Sequence, residues 1–169
     1  MPEATRHSRV RRTFLAIAIV ILPASAAQAA STTSQFSVSM TINSSCTIVS
    51  TAALNFGSQG VLTSAVPQTT TLQVQCTNTT AYNIGLDAGT GSGATVAARK
   101  MTSGSNTVTY SLYSDSGHTT VWGNTIGTNT VSATGNGAAQ TYTIYGQVPA
   151  QTTPAPGSYS DTITVTVTY

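Results

Sequence analysis

The chain is 169 residues long and carries only six Lys or Arg and four Asp or Glu. Arg6, Arg9, Arg11, Arg12 and Glu3 crowd its start; beyond them Arg99 and Lys100 stand against Asp87, Asp115 and Asp161, a net charge near −1. So few charges exclude nucleic-acid binding, which needs a basic footprint on phosphates, and the pI of about 8.7 belongs to the N-terminal stretch.

Residues 1–29 read as a signal peptide. The arginines form a positive start, residues 14–22 a short apolar stretch ended by Pro23, and Ala27-Gln28-Ala29 a cleavage pattern near Ala29. About nine apolar residues are too few to span a bilayer. No second run of that kind follows, so the sequence predicts a soluble, exported protein with no membrane span after cleavage. Arg11-Arg12-Thr13-Phe14-Leu15 also resembles a twin-arginine signal, so the Sec and twin-arginine routes both stay open. Past the signal about a third of the residues are Ser or Thr. Such a surface hydrates through hydroxyls and opposes contact between copies with little charge repulsion.

Residues 35–42 alternate polar and apolar side chains, with Phe36, Val38, Met40 and Ile42 on one face. That period suits a strand with one face packed and the other in water. Shorter apolar pieces follow at residues 46–49 and 54–57, and the alternation returns in Leu72, Val74 and Cys76. After a turn at Thr77-Asn78-Thr79-Thr80 it continues in Tyr82, Ile84 and Leu86. Residues 89–104 are rich in Gly, Ser and Thr and read as a long loop. Val108, Tyr110 and Leu112 line the next strand, and Val121-Trp122 a short one. A second long loop is expected over residues 123–137. Tyr142, Ile144, Gly146 and Val148 form a further strand, ended by Pro149. Pro154-Ala155-Pro156-Gly157 turns the chain into a last strand over residues 161–169, where the alternation is unbroken.

Seven or eight strands separated by turn residues, without helical period, repeat or linker, predict one β-sandwich domain. The last strand runs to the final residue, so nothing is expected to cover its edge, and a bare edge is a template for pairing with another chain.

Cys46 and Cys76 are the only cysteines. An even pair in an exported chain predicts a disulfide; a metal pair would lack further ligands, since His118 is the one histidine past the signal. The same scarcity argues against catalysis. His118, in Tyr113-Ser114-Asp115-Ser116-Gly117-His118, is the single candidate base and reads better as part of a polar turn. Asp87, Asp115 and Asp161 each sit alone in sequence. Gly89-Thr90-Gly91-Ser92-Gly93 has the glycines of a phosphate-cradling loop, but no Gly-Lys-Ser/Thr follows, and a flexible hairpin loop is the plainer reading. Asn43-Ser44-Ser45 and Asn78-Thr79-Thr80 fit the N-glycosylation pattern, which is common by chance in so Thr-rich a chain. No catalytic residue, metal site or cofactor is expected.

Several motifs recur in the order of one family. They are Phe36-x-Val38 with Cys46, Leu54-x-Phe56-Gly57, Leu72-x-Val74-x-Cys76, Arg99-Lys100-Met101 and Tyr110-x-Leu112-Tyr113. Val121-Trp122-Gly123, Tyr145-Gly146 and Gly157-x-Tyr159-x-Asp161-Thr162 complete the set. The chain past its signal resembles the spore coat protein U domain family, which includes subunits of archaic, Csu-type chaperone–usher pili. The resemblance implies an all-β fold, an immunoglobulin-like β-sandwich that is incomplete, missing its last strand, with an N-terminal donor-strand extension. The implied boundaries are residues 30–44 for the extension and 45–169 for the sandwich. Phe36, Val38, Met40 and Ile42 of one subunit would fill successive pockets in its neighbour, in an acceptor groove floored by Ile163, Val165 and Val167. The implied partners are neighbouring subunits in a homopolymer, a periplasmic chaperone and an outer-membrane usher. The implied destination is a surface pilus serving adhesion and biofilm formation. Two rivals remain open: a secreted spore-coat or matrix protein of the same fold, and a small carbohydrate-binding β-sandwich stacking sugars on Trp122 or Tyr113.

Overall fold

Alternation of apolar and hydroxyl side chains leaves a chain little choice but to pleat, and a computed structural model describes residues 27–169 in that form. The reading of residues 1–26 as the body of a signal peptide lies outside the described residues. The chain divides into two units, residues 1–39 and 40–169. In the first, residues 27–39 belong to no strand or helix, and Phe36 and Val38 are 87% and 83% exposed.

The second unit contains every strand among the described residues. In chain order these are β1 (Cys46–Thr51), β2 (Val66–Cys76), β3 (Ala81–Leu86), β4 (Arg99–Ser103), β5 (Asn106–Tyr113), β6 (Val131–Thr134), β7 (Ala139–Val148) and β8 (Val165–Thr168). All pairings are antiparallel, in a five-stranded sheet of order β1-β2-β7-β5-β4 and a three-stranded sheet of order β6-β3-β8. The inward residues of the two sheets meet as one core: Leu72, Val74, Tyr110, Leu112 and Ile144 from the first, Tyr82, Ile84 and Leu86 from the second. Trp122 joins them, 1% exposed, its indole N–H donating to the Ile84 carbonyl at 2.9 Å. This is the all-β, immunoglobulin-like sandwich expected from the alternation and the family resemblance.

Cys46 and Cys76 face each other across the β1–β2 ladder and are joined by a disulfide. The link ties the start of the edge strand β1 to the body of the sheet.

Several local expectations are corrected. Residues 35–42 form no strand; Met40 and Ile42 are exposed as fully as the side chains before them. Without a partner ladder their backbone has nothing to pair with, whatever the side-chain period. Residues 54–57 turn instead of pairing: the Gly57 N–H donates to Asn55 Oδ1 at 2.8 Å, and Gly57 takes a φ of 71°. Val121 contributes one isolated bridge, to Tyr113. The two glycine-rich segments expected as loops each contain a short strand, β4 and β6. The last strand pairs only from Val165, because Ser160 is drawn to Thr102 of β4 by two backbone bonds, 2.8 and 3.1 Å.

Candidate functional site: an open cleft between two sheet edges

β1 ends one sheet and β8 ends the other, and among the described residues no strand pairs with the outer side of either. Between them the sandwich stays open. A cleft of about 920 Å³ reaches down to Leu86, Leu112 and Ile144 of the core. Ile48 of β1 forms one wall and Ile163 and Val165 the other. A second hollow of about 730 Å³ shares Leu54, Phe56, Met101 and Tyr159 with the first. A trough with apolar side chains on its floor and hydroxyls such as those of Thr51, Thr70 and Thr71 along its rim therefore runs along the open side. Leu54 and Phe56 enter it from the turn after β1, and Phe56 packs edge-on to Tyr110 at 6.2 Å.

The backbone on the β8 side is as open as the side chains. The Asp87 N–H donates to the Thr164 carbonyl, and the β3–β8 register pairs Gly85 with Thr166 and Asn83 with Thr168. Alternate residues of a strand point their N–H and C=O groups to opposite sides. Thr164, Thr166 and Thr168 thus bond toward β3, while Ile163, Val165 and Val167 direct their backbone groups to the open side. Ile163 and Val165 also line the cleft with their side chains; Val167 is half-buried against the core.

The segment carrying Ile163 is held by charged groups whose role the sequence did not disclose. Asp161 Oδ1 accepts from Thr90 N, Thr90 Oγ1 and Thr162 N, each at 2.8 Å, and its Oδ2 accepts from the Tyr110 hydroxyl at 2.8 Å. Asp87 Oδ1 accepts from Gly89 N and Thr164 N, both at 3.0 Å. Burial acts to raise the Asp87 pKa, but bonds from Thr164 and Gly89 and the nearby Arg99 charge leave it lowered overall. Burial, then the bond to Asp161, pushes the Tyr110 phenol far up.

Arg99 lies beneath, completely buried. Its guanidinium donates to the carbonyls of Asp87 (2.8 Å), Val96 (2.8 Å), Leu86 (3.0 Å) and Trp122 (2.7 Å). Burial pulls its pKa down, opposed by Tyr110, Asp87 and Asp161.

The other candidates come together in no site. His118 sits in a turn at φ 54°, edge-on to Tyr113 and Tyr145, and its buried Nε2 has no partner among the described residues. Asp115 is occupied by Thr119 and Thr120. No cluster of three metal-ligating side chains occurs among the described residues. Trp122 is sealed in the core and Tyr113 is half-buried beside His118, so the rival carbohydrate-binding reading loses Trp122 as a stacking platform. The glycine-rich loop does cradle an anion, but the anion is the chain's own Asp161. No helix among the described residues is long and apolar enough to cross a membrane.

An immunoglobulin-like sandwich with one side left open defines the class of protein. Residues 32–166 match the Spore Coat Protein U domain, and the chain belongs to that family. It is 34% identical over 160 residues to Protein U of Myxococcus xanthus, covering 86% of this chain and 89% of that protein. Among solved structures it is similar to a chain of the CsuC–CsuE chaperone–tip adhesion subunit pre-assembly complex from archaic chaperone–usher Csu pili of Acinetobacter baumannii. That match has 26% identity and a TM-score of 0.55 over 76% of this chain, which spans 40% of the other's length.

Proposed function

We propose that this chain is an exported structural subunit of a surface pilus, assembled by donor-strand exchange along the chaperone–usher route and serving adhesion and biofilm formation. The observation that carries the reading is the open cleft between β1 and β8, floored by apolar side chains and edged by free backbone groups. Residues 31–42 of a neighbouring copy are its occupant. Phe36, Val38, Met40 and Ile42 lie on one face of an extended strand, and each is at least three-quarters exposed in the lone chain. An added strand places alternate side chains in pockets while its backbone completes the ladder. Ile163, Val165 and Val167 supply the receiving edge. Burying four such side chains contributes ~6–12 kcal/mol before ordering costs.

The same reading assigns the transient partners. A periplasmic chaperone lends a strand to the cleft after export, and an outer-membrane usher exchanges it for the next subunit's extension. Likeness to the CsuE-containing complex supports this, as does family membership. The likeness to Protein U and the family's description favour a second reading, a secreted coat protein using the same cleft for self-association.

Val38→Asp and Met40→Asp test the insertion. A carboxylate cannot enter an apolar pocket without large cost, so these variants are expected to form no fibres while still binding the chaperone. Normal fibres from either variant would overturn the proposal. Assembly in cells lacking a chaperone and usher would select the coat reading.

A further inference from the structure

Residues 161–164 form one wall of the cleft yet belong to no strand. They carry the chain from the edge of β4, where Ser160 pairs with Thr102, across to β3, where Val165 pairs with Leu86. Backbone bonds hold this crossing at Ser160 and, from the Asp87 N–H to the Thr164 carbonyl at 3.2 Å, at Thr164. Between them its position depends on the Asp161 carboxylate, and the Asp87 carboxylate reinforces the end at Thr164.

We infer that Asp161, seated in the Gly89–Thr90 cradle, and Asp87, bonded to Thr164, form a clip that positions the cleft wall for strand capture. This deepens the donor-strand reading and rests on it.

The cradle is shaped for its occupant. Gly89 has a φ of 79°, and a Cβ there would meet Asp161 Cγ at 2.7 Å and touch Oδ2 more closely still. Only glycine offers both the left-handed backbone and the room. Four donors converge on the Asp161 carboxylate. They come from the loop after β3 (Thr90), from β5 (Tyr110) and from the crossing itself (Thr162), so one side chain ties both sheets to the wall. Asp87 makes the second fastening at Thr164, three residues on. Ile163, between the two fastened amides, points its side chain into the cleft.

The charged groups around the clip have distinct parts. Arg99 donates to the Asp87 carbonyl from the buried side without touching either carboxylate within hydrogen-bond reach. The Lys100 ammonium bonds the Ser92 carbonyl farther along the loop. The clip therefore works through neutral donors, with Arg99 supplying the field.

The test uses the chain from residue 30 onward, carrying Val38→Asp and Met40→Asp so that copies do not fill one another's clefts, with its disulfide intact, and a fluorescent synthetic peptide of residues 31–44 with the unmodified sequence. Gly89→Ala and Asp161→Asn are expected to slow peptide capture at least tenfold. They should also speed amide hydrogen exchange at Thr162 and Thr164 at least tenfold, leaving β2 and β7 unchanged. Thr90→Val, which removes one donor of four and keeps the fold, is expected to give about a threefold effect on both.

Folded variants that capture the peptide at the unmodified rate would overturn the clip and leave strand donation standing. No capture by the chain with its clip intact would overturn strand donation, and the exchange rates at Thr162 and Thr164 would then decide whether the clip holds the wall. Unfolding of all three variants, with exchange rising equally in β2 and β7, would assign these residues to general stability and overturn the positioning role.

Discussion

Replacing Arg99 with Met removes a buried charge but keeps most of the side chain's length and apolar stem. What it leaves behind sets the cost. Four carbonyls lose a donor, those of Leu86, Asp87, Val96 and Trp122. Asp87 and Val96 are half-exposed, so water can replace the guanidinium there; Leu86 and Trp122 are buried, and their carbonyls are orphaned. Each orphan costs about 1–3 kcal/mol, offset in part by relief of the charge's own desolvation. The net expectation is a loss of about 2–4 kcal/mol, a large share of a domain's ~5–15 kcal/mol. Lys in the same place keeps the charge on a single ammonium with three donors, which cannot span carbonyls on three separate segments, so Arg99→Lys recovers only part of the loss. Urea unfolding with the disulfide intact is the assay; at ~1–3 kcal/mol per molar, the midpoint of Arg99→Met should fall by about 1–2 M. A shift below about 0.3 M would mean that these carbonyls are satisfied without the guanidinium.

Other consequences follow from particular contacts. A Cβ on Gly146 would collide with the Leu54 side chain and approach Phe56 Cζ at 3.1 Å. Gly146→Val should therefore drive both side chains into the cleft and weaken capture of the 31–42 peptide more than tenfold, measured by fluorescence anisotropy. The lowered pKa of Asp87 means its contribution is present above the unfolded value near pH 4 and is lost as pH falls through the lower folded value. Thermal melts at stepped pH should thus show destabilisation below about pH 4 that is smaller in Asp87→Asn. The phenols of Tyr110 and Tyr142, both pushed up chiefly by burial, contribute stability present below about pH 10 and lost as pH rises above it. Tyr142→Phe should blunt the alkaline loss in the same melts.

The strands that fill the core were legible because their inward residues are uniformly apolar. Leu72, Val74 and Cys76, then Tyr82, Ile84 and Leu86, then Val108, Tyr110 and Leu112 all lie buried as the alternation requires. β4 was hidden because it turns Arg99 inward beside Met101, and the charge breaks the apolar pattern until its four carbonyl partners are known. β6 was hidden by brevity, with only Val131 and the small Ala133 facing the core. Leu54 and Phe56 carry the apolar signal of a strand, yet Asn55 and Gly57 spend it on a turn. At the cleft, Ile163 and Val165 were legible from periodicity. Asp161 was not, because its partners Thr90 and Tyr110 lie 71 and 51 residues away in sequence. The glycines of its cradle were visible, but their ligand was another part of the same chain.

Completion of one molecule's sandwich by another's N-terminal segment can be read from melting a chain that lacks residues 31–42 with and without a synthetic peptide of that segment. The truncated chain alone should show a broad, low transition. Saturating peptide should raise it by roughly 10–20 °C into a single cooperative step. A truncated chain that melts cooperatively at the same temperature in both samples would contradict that completion.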